Sequence, residues 1–553
     1  MAQIVDVALV GPELEENLGL RYIAASLEKT GFPCEILPLD SGADVLAVRD
    51  AVLARNPAIV GLSLAFQWRA MDFFALAIAL REGGYRGLIV GGGHFSAFTW
   101  REILSEFEEI DALCQYEAEE TMVDIARAVA AGQPLHGVAG LALREPGGVP
   151  ESVGRQPGGV PVETPLAPSP ELGTLPWPDR RGEPVVCLGH NVAALVASRG
   201  CYAHCAFCCI AAWHGRTGEG VRFRLRPVED VADEMVYLNR EKRTDIFIFH
   251  DDDFFVPAGR HGVLGRLRAL ADALDARGMG PFVSVVKARP NDVKPEIFRF
   301  MRDRLGLNRL FLGVESDAHQ GLVTLDRHVR SEQNHAAMTV LDELGLYCCF
   351  NLLMFDPDTT LDTLEPNIAF MERYAEVPFN FGRAELYAGT PLLARMQAEG
   401  RAVGDWMGWD YRLNDLDIQR AFNLVMRAFY ARNFAGDALA NRLQGTRFDV
   451  EVARRLHADV FDSAWLDEAK AINRGLGLDS AAGLRAVIAQ VRSAPESADD
   501  TFIEDLSGRL RETERELRRR ASALEKAVRS TVGAGCRHHR PRSAETRSAG
   551  AHP

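Results

Sequence analysis

The stretch Cys201-Tyr202-Ala203-His204-Cys205-Ala206-Phe207-Cys208 decides how the rest of this chain is interpreted. Its three cysteines have the spacing C-x3-C-x2-C and follow directly after an apolar, strand-like segment at residues 192–197. Cysteine thiolates are the usual ligands of iron–sulfur clusters, so three of them on one short loop can hold three irons of a [4Fe–4S] cube. No fourth cysteine follows at an ordinary spacing, which leaves one iron open to a substrate or cofactor.

Two other interpretations of this loop stay open from the residues alone. A zinc site would need a fourth ligand, which His204 could supply from between two cysteines or His214 from farther along the chain. The cysteines could also be unrelated residues of a buried core. Cys209 follows Cys208 directly, and because Cys208 completes the expected spacing, we interpret Cys209 as a core thiol.

Length and composition restrict the classes of protein that fit. The chain has 553 residues, 47% hydrophobic and 25% charged, as expected for an enzyme of two or three domains. Its formal charge of −15 argues against nucleic acid as a partner. The start carries Asp6 within an apolar stretch and no basic segment, which favours a strand over a signal peptide. The apolar run 58–66 is too short to cross a membrane, and ten cysteines in such a chain favour a cytoplasmic protein.

The first part of the chain alternates between strand-like and helix-like segments. We predict a doubly wound, Rossmann-like α/β domain over residues 1–140, because alternating strands and helices form a parallel sheet covered on both faces. The predicted strands are 4–10, 34–39, 58–64, 87–90 and 112–115, and the principal predicted helices are 18–30, 68–81, 97–107 and 117–131. Residues 141–184 are rich in proline and glycine and are predicted to be a linker.

The same alternation resumes over residues 185–395. Six strand candidates lie at 192–197, 245–250, 282–286, 310–314, 347–354 and 379–386, which predicts a partial (β/α)6 barrel. A helical domain is expected over 396–500, followed at 501–553 by a charged helix and a disordered tail from Gly533. The apolar stripe of that helix indicates an amphipathic surface helix or, alternatively, a coiled-coil partner helix.

With these elements in place, the chain resembles the radical S-adenosylmethionine (radical SAM) superfamily over residues 185–393. The resemblance rests on the cysteine loop at the end of the first barrel strand and on Phe207 directly before the last cysteine. It implies that Cys201, Cys205 and Cys208 bind the cluster, that Phe207 contacts the bound cofactor, and that the open iron binds S-adenosylmethionine. A reduced cluster would cleave this cofactor to methionine and a 5′-deoxyadenosyl radical, which implies an electron donor such as flavodoxin or ferredoxin.

Further residues stand where the resemblance places cofactor contacts. Asp251 and Asp252 end the second barrel strand and could receive the ammonium group of S-adenosylmethionine, although the three carboxylates of residues 251–253 could also form a divalent-metal site or a solvated turn. Lys287 ends the third strand and could pair with the cofactor's carboxylate or lie exposed. Glu315, in the segment Gly-Val-Glu-Ser, would lie near the cofactor's polar groups or act as a structural cap.

The N-terminal domain resembles the cobalamin-binding domain that is fused to many radical SAM enzymes. Three segments carry this resemblance, at residues 19–27, 60–63 and 90–95, and the turn 388–392 resembles a P-G-T-P-L turn of cobalamin-dependent members. It implies that Gly91, Gly92, Gly93, His94 and Ser63 contact cobalamin. Glycines allow close approach of a bulky ligand, and Ser63 could bind the nucleotide tail. The loop 11–17 lacks the D-x-H-x-x-G motif, so we expect no histidine below the cobalt. Cobalt ligation by His94 is a minor alternative.

These resemblances imply a cobalamin-dependent radical SAM methylase that acts on an unactivated carbon of a small molecule. A non-methylating radical enzyme of the same architecture, such as an oxidative cyclase or a ring-contracting enzyme, is the alternative. A sensor that uses cobalamin and the cluster as receptors is an alternative of another class. No motif in the chain names the substrate.

Overall fold

Two seven-stranded sheets organise the computed structural model, which describes residues 5–145, 159–217, 222–257 and 262–538. The strands are β1 (Val7–Gly11), β2 (Cys34–Pro38), β3 (Ile59–Ser63), β4 (Leu88–Gly92), β5 (Ala112–Cys114), β6 (Leu141–Glu145), β7 (Val160–Glu163), β8 (Val185–Cys187), β9 (His190–Leu195), β10 (Ser198–Gly200), β11 (Phe223–Leu225), β12 (Thr244–Phe249), β13 (Val283–Ala288), β14 (Leu307–Glu315), β15 (Tyr347–Phe355), β16 (Phe379–Arg383), β17 (Ala402–Val403) and β18 (Asp410–Tyr411).

The helices connect these strands and then continue alone toward the C-terminus. They are α1 (Leu18–Lys29), α2 (Val45–Arg55), α3 (Ala70–Glu82), α4 (His94–Phe98), α5 (Trp100–Glu106), α6 (Glu119–Ala131), α7 (Cys209–His214), α8 (Val228–Lys242), α9 (Gly262–Ala276), α10 (Pro295–Arg304), α11 (His319–Thr324), α12 (Ser331–Glu343), α13 (Leu364–Arg373), α14 (Pro391–Ala398), α15 (Leu416–Phe429), α16 (Leu439–Leu456), α17 (Ser463–Ser493) and α18 (Asp499–His538).

The first sheet has the order β2-β1-β3-β4-β5-β6-β7, and its strands β1 to β5 are parallel, which confirms the predicted doubly wound domain. Strands β6 and β7 extend it in antiparallel fashion and come from the segment predicted as a linker. These two short segments form strands because they pair with the edge of the sheet, and their own sequences carry no such signal. The predicted helix 97–107 is instead two helices that meet at Thr99, whose hydroxyl donates to the carbonyl of Phe95.

The second sheet has the order β16-β15-β14-β13-β12-β9-β8. Its six strands from β9 to β16 are parallel, and β8 pairs with β9 in antiparallel fashion at one edge. The open curved sheet confirms the predicted partial barrel. Chemistry in such barrels takes place at the carboxyl ends of the strands, where the loops are free to vary.

Helix α16 crosses the opposite, amino ends of these strands. The Tyr347 hydroxyl at the start of β15 donates to the carbonyl of Gln444 at 2.9 Å, and Arg455 Nε donates to the Phe282 carbonyl beside β13 at 2.9 Å. His457 Nε2, just after α16, lies 3.1 Å from Nε2 of His190 in β9. The helical region therefore closes the amino end of the barrel.

Helix α18 packs along α15, α16 and α17. Its apolar stripe is buried in these contacts and consists of Ile503, Leu506, Leu510, Leu517, Leu524 and Val528. The amphipathic helix is thus part of this chain's own core, and its apolar face is already covered. The helix continues through Gly533 to His538, and the rest of the predicted disordered tail lies outside the described residues. In the described parts of the chain, we find no helix with the length and apolar character needed to span a membrane.

Candidate active site

A cavity of about 510 Å³ opens at the carboxyl ends of the second sheet and reaches down to helix α16, a volume typical of small-molecule sites. Its upper part, called the mouth here, is lined by Cys201, Cys205, Phe207, Cys208, Ile210, Asp252, Asp253, Lys287, Ala288, Arg289, Gly313, Glu315 and Arg327. Its lower part is lined by Phe311, Leu312, Cys349, Phe350, Asn351, Asn380, Asn441 and Gln444. The structure therefore brings most of the predicted barrel residues to one cavity.

The three predicted cluster cysteines all lie on the mouth, on the loop between β10 and α7. Cys205 is buried, and two guanidinium groups reach its sulfur: Arg289 Nη1 and Arg327 Nη1 each donate to Cys205 Sγ at 3.1 Å. Burial raises the pKa of Cys201 to about 12, so this thiol releases its proton only when a metal ion replaces it on the sulfur.

The cysteine arrangement fits a cube better than a single ion. Nowhere in the described ranges do three His, Cys, Asp or Glu side chains converge on one metal position. A cube takes each thiolate on a different iron, so its ligands need no common point. The candidate fourth zinc ligands are engaged elsewhere, because His204 Nε2 lies 2.9 Å from Arg222 and His214 Nδ1 lies 2.8 Å from the Tyr116 hydroxyl.

Asp251 has a structural position rather than a place on the cavity wall. Its side chain is buried below the cysteine loop, where Oδ2 accepts from the Ala197 amide at 2.9 Å and Oδ1 accepts from the Ser198 hydroxyl at 2.5 Å. These two bonds fasten the end of the first barrel strand to the end of the second. The cofactor contact predicted for Asp251 is therefore better assigned to its neighbours, since its own oxygens already hold the loop.

Asp252 and Asp253 both line the mouth. Asp252 Oδ2 accepts from the Gly200 amide at 2.9 Å and lies 3.7 Å from His214 Nε2. Asp253 Oδ2 lies 3.9 Å from Cys201 Sγ, and burial raises the pKa of this carboxyl to about 7. The three neighbouring carboxylates thus point to different partners, which argues against the alternative of one divalent-metal site.

Lys287, Glu315 and Phe207 also lie on the mouth. The ammonium group of Lys287 makes no hydrogen bond or ion pair to any residue in the described part of the chain. Glu315 has φ of +62°, a conformation that costs free energy outside glycine and that collects at functional sites. Burial raises the pKa of Glu315, against the opposing effect of Arg327 and Arg289. The ammonium group of Lys287, which has no hydrogen-bonded partner among the described residues, and the carboxyl of Glu315, carried on a strained backbone, are suitable partners for a zwitterionic cofactor.

The glycines of the first sheet are required by packing and by backbone conformation. A Cβ on Gly91 would lie 2.6 Å from side-chain atoms of Leu113 and Leu64, inside the core. Gly93 has φ of +132°, and its Cβ would lie 2.7 Å from backbone atoms of Ala65. Gly93 therefore permits the tight turn that sends the chain from β4 into α4. Gly92 and Ser63 are register partners at the ends of β4 and β3.

His94 follows this turn and lies against the barrel. Its ring is 4.5 Å from the ring of Trp213, which belongs to the helix directly after the cysteine loop. Burial lowers the pKa of His94 to about 4, although the nearby charge of Asp252 opposes this effect. The ring of Tyr116 also packs on Trp213, with ring centres 4.4 Å apart. The ligand-binding edge of the first domain and the cysteine loop of the second are thus adjacent.

Large apolar side chains stand exposed on the loops at the carboxyl edge of the first sheet. Leu14 follows β1 and is 76% exposed, while Phe66 and Trp68 follow β3 and are 54% and 73% exposed. Single exposed apolar residues are ordinary, but a group of them at a sheet's ligand-binding edge indicates a surface that a ligand covers.

Comparison with known proteins agrees with both halves of the site. Residues 5–126 match the family described as the B12 binding domain. The solved structure of the cobalamin-dependent S-adenosylmethionine radical enzyme OxsB, with aqua-cobalamin and S-adenosylmethionine bound, superimposes with a TM-score of 0.67 at 15% identity, and the match covers 96% of this chain and 84% of that one. The chain has the architecture of a cobalamin-dependent radical SAM enzyme.

Two sequence relatives are named for a methyltransferase and for a cyclase. The chain is 25% identical over 390 residues to an uncharacterized methyltransferase of Pyrococcus horikoshii, covering 70% of this chain and 78% of that protein. It is 26% identical over 318 residues to the anaerobic magnesium-protoporphyrin IX monomethyl ester cyclase of Cereibacter sphaeroides. That second match covers 53% of this chain and 47% of the cyclase, so the chain spans about half the length of this relative.

Several residues of the cavity were not predicted. Arg327 lies on the loop after α11, far in sequence from the cysteine whose sulfur it contacts. The amides Asn441 and Gln444 come from α16, a helix of the C-terminal region in which no motif is visible. Only the folded chain places these residues beside the barrel strands, so no local sequence signal could have found them.

Proposed function

We propose that this chain is a cobalamin-dependent radical SAM methyltransferase that methylates an unactivated carbon of a small molecule. The observation that carries the proposal is the contact between His94 and Trp213, with ring centres 4.5 Å apart. It joins the glycine-rich turn of a cobalamin-binding domain to the helix that follows the cysteine loop. A methyl group on cobalamin and a radical generated at the cluster would therefore be available to one substrate.

The cluster with S-adenosylmethionine supplies a 5′-deoxyadenosyl radical, and cobalamin supplies a methyl group, when these cofactors are bound. Cys201, Cys205 and Cys208 hold the cluster in this proposal. Lys287 pairs with the carboxylate of S-adenosylmethionine, and Asp252 with its ammonium group. The barrel wall orients the substrate and keeps water away from reactive species.

The cobalamin would lie between the two domains. Gly92, Gly93 and Ser63 would meet it at the carboxyl edge of the first sheet, and Phe66 and Trp68 would pack against apolar parts of the corrin. His94 packs on Trp213 with ring centres 4.5 Å apart, and this proposal gives it contact with the cofactor as its role. Electrons come from a small cytoplasmic donor of the flavodoxin or ferredoxin class.

A non-methylating radical reaction is the second candidate. The relation to the anaerobic cyclase of Cereibacter sphaeroides favours it, because that protein is named for ring closure rather than for methyl transfer. Both candidates use the same cluster and the same cobalamin-facing edge. A sensor is the third candidate and differs from both, since it predicts no 5′-deoxyadenosine after reduction.

One anaerobic experiment separates these candidates. The full chain is reconstituted with iron, sulfide and hydroxocobalamin, reduced, and incubated with methyl-deuterated S-adenosylmethionine and candidate substrates. Methyl transfer predicts 5′-deoxyadenosine, S-adenosylhomocysteine and a product that carries the labelled methyl group. Formation of 5′-deoxyadenosine and a product without the label would refute methylation and support the second candidate. Absence of 5′-deoxyadenosine would leave the sensor.

A further inference from the structure

The lower part of the cavity differs in chemistry from the mouth. The mouth carries thiols, carboxylates and guanidinium groups, whereas the lower part carries the carboxamides of Asn351, Asn380, Asn441 and Gln444 and the ring of Phe311. The acidic residues among those lining the cavity all belong to the mouth. We call this lower part the amide floor. Its hydrogen-bonding capacity decides what it can hold.

The orientation of Asn380 follows from its backbone neighbour. The Phe381 amide donates to Asn380 Oδ1 at 2.8 Å, and a backbone N–H can only donate, so this atom must be the oxygen. Asn380 Nδ2 consequently faces Asn441 and donates to its Oδ1 at 3.0 Å. Asn441 therefore turns its NH2 group away from Asn380, and this group has no partner in the described residues.

The orientation of Gln444 follows in the same way from Arg309. A guanidinium group has no acceptor, so the 3.1 Å contact from Arg309 Nη2 identifies its partner as Gln444 Oε1. The NH2 group of Gln444 then has no partner in the described parts of the chain. Arg309 Nε is likewise buried without a hydrogen-bond acceptor. The amide floor thus presents the NH2 groups of Asn441 and Gln444, which can donate to an acceptor on a ligand.

Two further side chains complete the amide floor. Asn351 is exposed although it lies in the interior of β15, and its carboxamide has no partner among the described residues. Phe311 is 37% exposed in the interior of β14, with the Arg309 guanidinium 4.1 Å from its ring centre. Exposure in the middle of parallel strands means that these two side chains face the cavity. An apolar wall therefore stands next to the donors.

We propose that the amide floor binds a carbonyl-type oxygen of the substrate, a carboxylate or an amide carbonyl, with an apolar part of the substrate against Phe311. The naming of this ligand as the substrate rests on the proposed function; the binding site itself does not. Neutral amide donors suit an acceptor-only group, and a single cation that is already engaged does not call for a doubly charged phosphate. An ammonium group would face the N–H donors of the floor, so we expect amines to bind more weakly than acceptor groups.

The test compares three probes that share one ring: phenylacetate, phenylacetamide and 2-phenylethylamine. Saturation-transfer NMR on the reconstituted full chain, with the cluster oxidised, measures their binding without turnover. We expect the acid or the amide to bind at least tenfold more tightly than the amine. A stronger acid signal identifies a carboxylate, a stronger amide signal identifies a neutral carbonyl, and equal signals mean that the site accepts either oxygen. Binding of the amine as tight as that of the other two would overturn the proposal.

Isosteric variants locate the binding. Gln444→Glu and Asn441→Asp keep the oxygens that Arg309 and Asn380 need but replace the free donors with an acceptor. Each should weaken phenylacetate at least tenfold, whereas Asn423→Asp, which adds the same charge on an exposed face of α15, should not. Unchanged phenylacetate binding in both cavity variants would also overturn the proposal. The binding measurement does not depend on turnover, so the two proposals can fail separately. A chain that binds phenylacetate but forms no 5′-deoxyadenosine would refute the proposed function, while the proposed binding site at the amide floor would stand.

Discussion

The two sheets present ligand-binding edges of opposite kinds. At the carboxyl edge of the first sheet, the decisive position is Gly93, where a side chain is forbidden, and large apolar side chains are exposed on the loops. At the carboxyl edge of the second sheet, the wall consists of thiols, carboxylates and guanidinium groups. A large preformed cofactor can be held by shape and backbone, whereas a cluster and a zwitterion require specific charged partners. We therefore expect ligand binding at the first edge to be weakened by substitutions that add atoms, and ligand binding at the second edge by substitutions that remove functional groups.

The largest expected effect is that of Cys205→Ala. Loss of one of three thiolates should abolish cluster assembly and 5′-deoxyadenosine formation, while cobalamin binding at the other edge persists. Iron content, product analysis and the cobalamin absorption spectrum measure the three quantities. Cys209→Ala is the control and should keep all three. Formation of 5′-deoxyadenosine by the Cys205→Ala variant would contradict the proposal that this loop binds the cluster.

Gly93→Ala tests the first edge. A Cβ at this position would meet Ala65 backbone atoms at 2.7 Å, and φ is +132°, so we expect a loss of about 1–3 kcal/mol in the free energy of unfolding. Cobalamin binding should fall, and cluster content should stay near that of the unaltered chain. Urea unfolding and dialysis against hydroxocobalamin measure the two effects. Gly137→Ala, where no atom lies within 4 Å, should change neither.

His94 tests the contact between the two edges through pH. Its pKa is about 4 in the folded chain against 6.5 as the ordinary value, so between these pH values the unfolded chain binds a proton that the folded chain does not. The free energy of unfolding is therefore unaffected by His94 above pH 6.5 and decreases as the pH falls through 6.5 toward 4, by about 3 kcal/mol in total. His94→Phe keeps a ring on Trp213 and should unfold with a flatter pH dependence in this range. Parallel pH curves for both proteins would contradict the burial of a neutral imidazole.

Arg327→Gln should have the smallest effect of the four. Removing one of the two cations beside Cys205 should make the cluster harder to reduce, because reduction adds negative charge. We expect the ratio of reduced to oxidised cluster to fall about tenfold at a given potential, which corresponds to about 59 mV. Potentiometric titration followed by electron paramagnetic resonance measures this shift. Arg327→Lys keeps the charge and should recover part of it; an equal shift in both variants would indicate a structural role instead.

The sequence predicted those parts of the molecule that depend on neighbours in the chain. Helix α1 is found at Leu18–Lys29 against a predicted 18–30, because its apolar positions follow the helical period. The three cysteines predicted to bind a cluster lie together because they share one short loop. Strands β6 and β7 were missed, since their order comes from pairing with a distant edge. Asp251 was taken for a cofactor contact because sequence shows which carboxylates are near, but not which way each one points.

The sequence alone determined the cysteine spacing, the alternation that builds two parallel sheets, and the glycine-rich turn after the fourth strand. These are local properties, since spacing on a loop, hydrophobic period and permitted φ values are set by residues within a few positions of one another. Only the tertiary structure decided that Arg289 and Arg327 share one sulfur, that His94 meets Trp213, and that α16 closes the barrel with Asn441 and Gln444. Those contacts join residues far apart in the chain, and packing of the whole core brings them together.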